Sequence, residues 1–308
     1  MDYRTMRGLF FAPPDGPRPP PPAAASPSRA RALRDAIEPL ACLSIWSPEA
    51  AEDYAALGLD DYFAAYVWQR VAPLGTPPEP LAVAALGVFD GDLIGPQYTL
   101  GTAAVDRDAL VAVRLAAPGR TLRRVLGDDL PDLDREAAAA VVALRRGIDA
   151  ADRTARPLFA GLLAEPWPDD PAAALVHACH VLREHRGDSH LAVCAVDGLD
   201  AVQMNVLTEL WCGYPLGSYT ASRGWTPDRI DAAADALRAR GLLTRGGLST
   251  EGLQHRAVLE ERTDAMQRAV VAAIGTDLYP LTRLLGSWSD ALVAAGAAPP
   301  DPAKRLAG

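Results

Sequence analysis

Segments in which apolar and polar residues alternate, the pattern of half-buried strands, are almost absent from this chain. Alanine-rich segments with apolar residues three or four positions apart recur instead, and alanine has the highest helix propensity of all residues. The segment 133–151, with its run REAAAAVVALRRGIDAA, is an example. The pattern predicts an all-α protein with two helical halves, and 308 residues suffice to bury a large core.

Proline and glycine divide the chain into candidate domains. Residues 12–28 are proline-rich, and such a composition buries too little apolar surface to fold. We therefore predict a disordered arm at 1–28, whose removal should leave the melting temperature nearly unchanged. A helical domain is expected at 29–168, a second domain at 169–296 and a flexible tail at 297–308.

The composition excludes several classes of protein. The net charge of −9 argues against a polybasic nucleic-acid binder, because neutralising phosphates requires basic excess. The four cysteines form no CxxC pair, so neither a disulfide framework nor a zinc finger is indicated. No apolar run reaches 18 residues, which predicts a cytoplasmic protein without a membrane span. The sequence indicates no cofactor and leaves the oligomeric state open.

The segment TPDRIDAAADALRARGLLTRGGLSTEG, residues 226–252, carries an ordered set of signals. Thr226 suits a helix N-cap, Pro227 suits the first helical position, and Gly241 ends the helix. LLT and LST then flank RGG as two short strands around a tight turn. A long helix is predicted from Glu251 to about Ile274. This order predicts a winged helix-turn-helix with a short β-hairpin wing; the alternative is a pair of antiparallel helices with a polar turn.

The charge of this segment gives only a weak indication of DNA binding. Residues 217–262 contain seven arginines and six acidic residues. Asp228, Asp231 and Asp235 lie on the helix that would enter the major groove, where phosphates repel them. The candidates for phosphate contacts, which flank that helix and the turn, are Arg223, Arg240 and Arg245.

Four of the five histidines fall within HACHVLREHRGDSH, residues 177–190. At about 100° per residue, His177, His180, Glu184 and Asp188 form one narrow stripe of a helix. A break near Gly187 would bring His190 back towards this stripe. The candidate ligand-binding residues are His177, His180, Glu184, His185, Asp188 and His190.

Three interpretations of this stripe compete. It is a solvated polar face, a pocket that hydrogen-bonds a small molecule, or a set of groups for metal or acid/base chemistry. His177 and His180 lack the HExxH spacing of a helical metal site, and only His255 remains elsewhere in the chain to complete a three-histidine site. No metal is therefore predicted, and the pocket is the preferred interpretation.

Three strings together resemble an actinobacterial family of MarR-like winged-helix proteins. They are RPLFAGLLAEPWPDDP, LREHRGDSH and SRGWTPDRIDAAADALRARGLLTRGGLSTEG, and the resemblance covers roughly residues 29–265. It implies a mostly helical fold with a winged helix and a shared polar site around LREHRGDSH. Relatives often have a histidine after the E-P-x of the opening helix, where this chain has Ala41. If that histidine faces the site in relatives, this chain lacks one of its polar groups.

These observations lead to three functional hypotheses. The first is a MarR-like regulator that holds a small molecule near the 177–190 helix and binds DNA weakly. The second is an enzyme of specialised metabolism that uses the same histidines and carboxylates. The third is a structural interaction module.

Overall fold

The computed structural model describes residues 2–12, 28–127, 132–301 and 303. This part of the chain is mostly helical, which confirms the all-α prediction. The helices are α1 (Tyr3–Phe11), α2 (Arg29–Ala41), α3 (Leu43–Trp46), α4 (Pro48–Ala56), α5 (Tyr62–Val71), α6 (Glu79–Leu86), α7 (Gly91–Ala104), α8 (Arg107–Leu126), α9 (Leu133–Asp149), α10 (Pro157–Leu162), α11 (Pro171–Val196), α12 (Ala201–Trp211), α13 (Pro227–Ala239), α14 (Thr250–Ala265), α15 (Arg268–Ile274) and α16 (Leu278–Ala294). Short 3-10 helices lie at Ala72–Leu74, Thr220–Arg223 and Gly275–Asp277. The strands are β1 (Leu243–Thr244) and β2 (Gly247–Leu248).

The 26-residue helix α11 is the centre of the molecule. Its first turn is capped by Asp170, whose carboxylate accepts the backbone N–H of Ala173 at 2.9 Å. It packs against α2, α8, α9, α10 and α14. The helix continues through Gly187, so the alternative of a break there is wrong; a helical glycine costs only about 1 kcal/mol, and packing along α11 outweighs that cost.

The three largest apolar cores of the described ranges lie on or near this helix. The largest joins α2, α9, α11, α15 and α16, so it draws on both sides of the predicted domain boundary at residue 168. A second core lies within α4 to α8 and includes the buried Trp68. The third joins the end of α11 to α12, α13 and α14 around Val206, Leu237 and Leu259. Because α11 belongs to the first and third cores, it connects them.

The segment from α12 to α14 has the predicted order of elements. A 3-10 helix precedes α13, and β1 and β2 pair antiparallel with Leu243 opposite Leu248. The buried Glu209 carboxylate fixes the approach to α13 by accepting the backbone N–H groups of Gly217 and Thr220 at 2.6 and 2.8 Å. The predicted single helix from Glu251 to Ile274 is interrupted at residues 266–267, between α14 and α15.

The N-terminal segment differs from the predicted disordered arm. Asp2 caps α1 by accepting the Thr5 backbone N–H at 2.8 Å, and Met6 is buried. Met6 packs with the aromatic side chains of Trp46 and Tyr62. Residues 3–11 form a helix, so the prediction of disorder was wrong for them. The neighbouring prolines dominate the composition of the segment and mask the apolar Met6 face of α1. Residues 13–27 lie outside the described part.

Residues 297–301 and 303 also differ from the flexible tail predicted at 297–308, of which 302 and 304–308 lie outside the described part. Ala297 and Ala298 are buried, and the Asp301 carboxylate accepts the Tyr214 hydroxyl at 3.0 Å. Ala303 packs on Trp211. The alanines and prolines of these residues give no periodic signal, so tertiary contacts alone determine their positions.

No single helix of the described ranges is both long and apolar enough to cross a membrane. Helices α11 and α12 reach that length and apolarity only together, and their axes are bent by 110°.

Candidate functional site

A cavity of about 150 Å³ lies against the middle of α11. Its walls come from α2, α5, α11, α12, α14, the loop after α6 and the 3-10 helix before α13. The charged residues that line it are Arg34, Glu38, Arg70, Arg183, Glu184, Arg186, Asp188, Arg223, Arg256 and Glu260. Six of these ten residues are arginines, and we call this space the arginine cavity.

Glu184 is held by two arginines from different helices. Its Oε2 accepts a hydrogen bond from Arg70 Nη2 at 2.7 Å, and its Oε1 accepts one from Arg183 Nη1 at 2.8 Å. Burial by itself raises the pKa of Glu184, but the charges of Arg70 and Arg183 outweigh burial and lower the pKa to about 2. Arg183 also donates from Nε to Glu38 at 3.1 Å. Glu184 is therefore ionised near neutral pH, and the network joins α2, α5 and α11.

Glu260 on α14 is the centre of a second ion-pair network. Arg186 Nη2 donates to its Oε2 at 2.8 Å, and Arg256 and Arg31 donate to the same carboxylate. Burial opposes ionisation, but these three arginines hold the pKa of Glu260 well below its usual range. The carboxylate thus ties α14 to α2 and α11 at the edge of the cavity.

Asp188 differs from both of these acids. It is buried, and its Oδ2 accepts the Phe159 backbone N–H at 3.0 Å. Burial raises the pKa of Asp188 to about 7, with the charge of Glu184 adding to the rise and the Phe159 hydrogen bond opposing it. The cavity therefore holds one carboxyl group that exchanges a proton near neutral pH and, one turn away, a carboxylate that stays ionised.

The predicted histidines do not assemble into one site. His177 and His185 are buried and are not among the residues that line the cavity. The His177 ring meets the edge of Trp167 at a centroid distance of 4.9 Å, and the His185 ring meets Phe159 at 4.7 Å. His185 Nδ1 lies 2.7 Å from Gln267 Oε1. These two side chains pack the core, and burial lowers their pKa values to about 3 and about 4.

His180 and His190 occupy different positions. His180 Nε2 lies 3.7 Å from Glu184 Oε1, behind the cavity wall. His190 lines the cavity, with Nδ1 3.0 Å from Thr263 Oγ1 and Nε2 3.6 Å from Cys194 Sγ. Burial lowers both pKa values, to about 3 for His190. No three His, Cys, Asp or Glu side chains in the described ranges are grouped to hold a metal ion.

A second cavity, of about 80 Å³, adjoins the first. Five of its thirteen lining residues are aromatic, and we call it the aromatic cavity. Tyr62 stacks on Trp46 at a centroid distance of 5.4 Å and on Tyr66 at 6.2 Å, and all three line the space. Residues that line both cavities are Glu38, Tyr66, Phe89, Arg183 and Arg223. One charged chamber and one aromatic chamber therefore share a wall.

The family model described as a helix-turn-helix family matches residues 30–299, from the start of α2 to beyond the end of α16. The chain belongs to this helix-turn-helix family. No curated protein and no solved structure matches this chain. The match includes both cavities and the α12–α14 segment.

The three arginines predicted to contact DNA have different surroundings in this helix-turn-helix protein. Arg223 is partly buried and lines both cavities. Arg240, at the end of α13, lies 3.4 Å from Asp197 Oδ2 and is partly neutralised by that ion pair. Arg245 is exposed in the turn between β1 and β2. Of the three, Arg245 is the one that projects freely from the α12–α14 segment.

Several residues of the cavities are absent from the sequence-based prediction. Arg70 lies in WQRV on a mostly apolar helix, and a lone arginine among apolar residues is a signal for a buried ion pair. Arg183 and Arg186 stand within the REHR string but read as surface charges. Tyr66 and Phe89 carry no such signal, because aromatic residues at helical spacing are usual in cores.

Proposed function

We propose that this protein is a MarR-like winged-helix transcriptional regulator of the cytoplasm that binds a small molecule in the two adjoining cavities. The order α12, 3-10 helix, α13, hairpin, α14 is that of a winged helix-turn-helix, with α13 as recognition helix and β1–β2 as wing. The observation that carries the proposal is that one wall of the cavities is the 3-10 helix directly before α13.

The attachment of the α12–α14 segment to the rest of the protein supports coupling between the two functions. Asn205 Nδ2 and Trp225 Nε1 both donate to the Val88 carbonyl, at 2.6 and 3.0 Å. The Asp90 backbone N–H donates to the Arg223 carbonyl at 2.9 Å. If the α12–α14 segment moves, Asn205 and Arg223 move with it, and the free energy with which a ligand binds to them changes. Such a difference in binding free energy between two positions of the segment is what an allosteric effect requires.

The contacts proposed for the ligand are Arg223 and, on α11, Asp188 and His190, while Glu184 positions Arg70 and Arg183 in the cavity wall. His177, His180 and His185 support them by packing α11 against its neighbours. The proposed DNA contact is weak. On α13, Arg229 pairs with Asp90 at 2.8 Å and Arg238 pairs with Asp235 at 2.6 Å, which leaves little free positive charge.

Replacing Arg245 by alanine tests the DNA contact. We expect Arg245→Ala to weaken binding to all duplexes about equally and to reduce the slope of log K against log salt concentration by about 1, since one phosphate contact is lost. Arg135→Ala is the matched control, because Arg135 is an exposed arginine on α9. Fluorescence anisotropy across a salt series, with duplexes selected from a random pool, measures both. Duplex binding that ignores Arg245, or no duplex binding by the folded protein even at low salt, would contradict the proposal.

Native mass spectrometry of freshly purified protein tests the ligand. A bound species of small mass should be retained, and its removal should change the affinity for the selected duplex. A duplex affinity that is the same with and without that species would remove the regulatory part of the proposal.

The pair Asp188 and Glu184 favours a second candidate, an enzyme of specialised metabolism. Two carboxyl groups on one cavity with pKa values of about 7 and about 2 suit general acid/base catalysis. The Asp188→Asn variant keeps the shape of the side chain and removes its proton exchange. If the enzyme hypothesis holds, the native protein consumes a metabolite from a cell extract, and Asp188→Asn loses that turnover while its fold is retained.

A further inference from the structure

Arg223 differs from the other arginines of the cavity. Arg70, Arg183, Arg186 and Arg256 each form an ion pair with Glu184, Glu38 or Glu260. No carboxylate in the described ranges pairs with Arg223. Its guanidinium donates to the hydroxyl groups of Ser222 and Tyr219, which are neutral partners. Its positive charge therefore remains uncompensated inside the protein.

The rings around Arg223 fix its direction. The guanidinium carbon lies 4.0 Å from the centroid of the Tyr219 ring and 5.2 Å from that of Phe89. Cation–π contacts of this kind hold the planar group without consuming its hydrogen-bond donors. Arg223 Nε is buried and has no acceptor among the described residues. A fixed guanidinium that lines both cavities and has no carboxylate partner among the described residues is a preformed site for an anion.

The charge balance of the arginine cavity points the same way. Its arginines are Arg34, Arg70, Arg183, Arg186, Arg223 and Arg256. The carboxylates that pair with five of them are Glu38, Glu184 and Glu260 in the lining, and Asp35 and Asp264 outside it. The buried Nε atoms of Arg70, Arg186 and Arg256 likewise have no acceptor among the described residues. Arg223 is the lining arginine to which no carboxylate of the described ranges is paired, and an uncompensated cation inside a protein costs free energy, so a bound anion is favoured beside it.

The aromatic cavity defines the rest of the ligand. Arg223 and Tyr66 lie in the wall that both cavities share, and Trp46, Tyr62 and Phe63 line the aromatic cavity alone. Rings of this kind bind flat apolar groups by stacking and by burial of apolar surface.

We propose that the ligand is an organic anion with an aromatic or other flat apolar body, in which the anionic group is bound by Arg223 and the body lies in the aromatic cavity. This proposal rests on the ligand-binding function proposed above and names its ligand class. It also assigns Arg223 to the ligand rather than to DNA phosphate.

Isothermal titration calorimetry with matched probes tests the ligand class. The probes are 2-naphthoate, its uncharged analogue 2-naphthamide, the smaller benzoate, and inorganic phosphate, which lacks an apolar body. The native protein should bind 2-naphthoate or benzoate, and the naphthoate at least tenfold more tightly than the naphthamide. Phosphate alone should bind more weakly than either carboxylate.

Variants locate the anion. Arg223→Met should abolish the difference between 2-naphthoate and 2-naphthamide, and Arg223→Lys should retain part of it, because the charge remains without the planar fork. Arg229→Met is the matched control: Arg229 lies over the Trp225 ring at 4.3 Å and is not among the residues that line either cavity. The Arg229→Met variant should bind 2-naphthoate and 2-naphthamide with the same affinities as the native protein. Thermal unfolding verifies that each variant is folded.

Three results would overturn the proposal. These are equal affinities of the native protein for 2-naphthoate and 2-naphthamide, equal losses in Arg223→Met and Arg229→Met, and no heat from benzoate or 2-naphthoate at millimolar concentration. The duplex assay is separate from these titrations. Charge-selective binding without any effect on duplex affinity would leave the ligand class standing and remove only the regulatory function.

Discussion

At the scale of single residues, Gly187 shows how α11 is both a continuous packing helix and one wall of the arginine cavity. It lies in the middle of a continuous helix and lines the arginine cavity. A Cβ placed on it would meet only Glu184 Oε2, at 3.8 Å, which is an ordinary contact. The space beside Gly187 is therefore open, and the glycine keeps the cavity unfilled at the expense of helix propensity.

Substituting this glycine tests that account. Gly187→Ala should raise the free energy of unfolding by about 0.5–1 kcal/mol, because alanine is the better helix former. Gly119→Ala on α8 is the matched control, since its Cβ would meet the Ala173 backbone nitrogen at 2.8 Å and should destabilise the protein. Urea unfolding followed by tryptophan fluorescence measures both. A destabilised Gly187→Ala would show that α11 requires the glycine for another reason.

At the scale of secondary-structure elements, α1 shows how a helix can follow from a few contacts. Tyr3 donates its hydroxyl to the Trp46 carbonyl, and Phe11 meets the Trp46 ring edge-on at a centroid distance of 5.4 Å. Met6 and Tyr62 complete the contact. Helix α1 thus covers the aromatic residues next to the aromatic cavity.

The contribution of α1 to stability can be measured with one substitution. Met6→Ala should lower the free energy of unfolding by about 2–3 kcal/mol, as expected when a buried methionine is truncated. Arg4→Ala, which changes an exposed residue of the same helix, should remain within about 0.5 kcal/mol of the native protein. If both variants unfold at the same urea concentration as the native protein, α1 does not dock and the arm is dispensable.

At the scale of the whole molecule, the buried histidines make stability depend on pH. Burial lowers the pKa to about 3 for His177 and His190, to about 4 for His185, and well below the usual value for His180. In the unfolded chain these groups protonate near pH 6.5. The unfolded state therefore gains protons first as the pH falls, and the free energy of unfolding decreases below about pH 6.5. Asp188 opposes this over the same range, because its raised pKa lets the folded state gain a proton.

The expected size of the effect is large. At pH 5 each histidine costs up to about 2 kcal/mol, and Asp188 offsets roughly one of them. Urea unfolding at pH 7 and pH 5 should show a loss of several kcal/mol at the lower pH. The His177→Gln variant should lose less on acidification than the native protein, because one proton-binding group has been removed. Equal stability at the two pH values would contradict the burial of the histidines.

The sequence by itself determined the helical class, the order of elements from α12 to α14 and the clustering of histidines and carboxylates on α11. These features follow from propensity, capping and spacing, which act between residues close in the chain. Even the stripe of Glu184 and Asp188 was correct as a face of a helix. Helix α7 was missed, because Pro96 and its glycines hide it from any local criterion.

The tertiary structure alone decided which contacts these side chains make and which of them line the cavities. One of the two arginine partners of Glu184 is Arg70, 114 residues away, and no local pattern encodes that pairing. Arg223 was expected to face DNA, yet it lines the cavities because Tyr219 and Phe89 hold it there. Burial, charge balance and cavity shape depend on how distant helices pack, and packing is a property of the whole chain rather than of any segment.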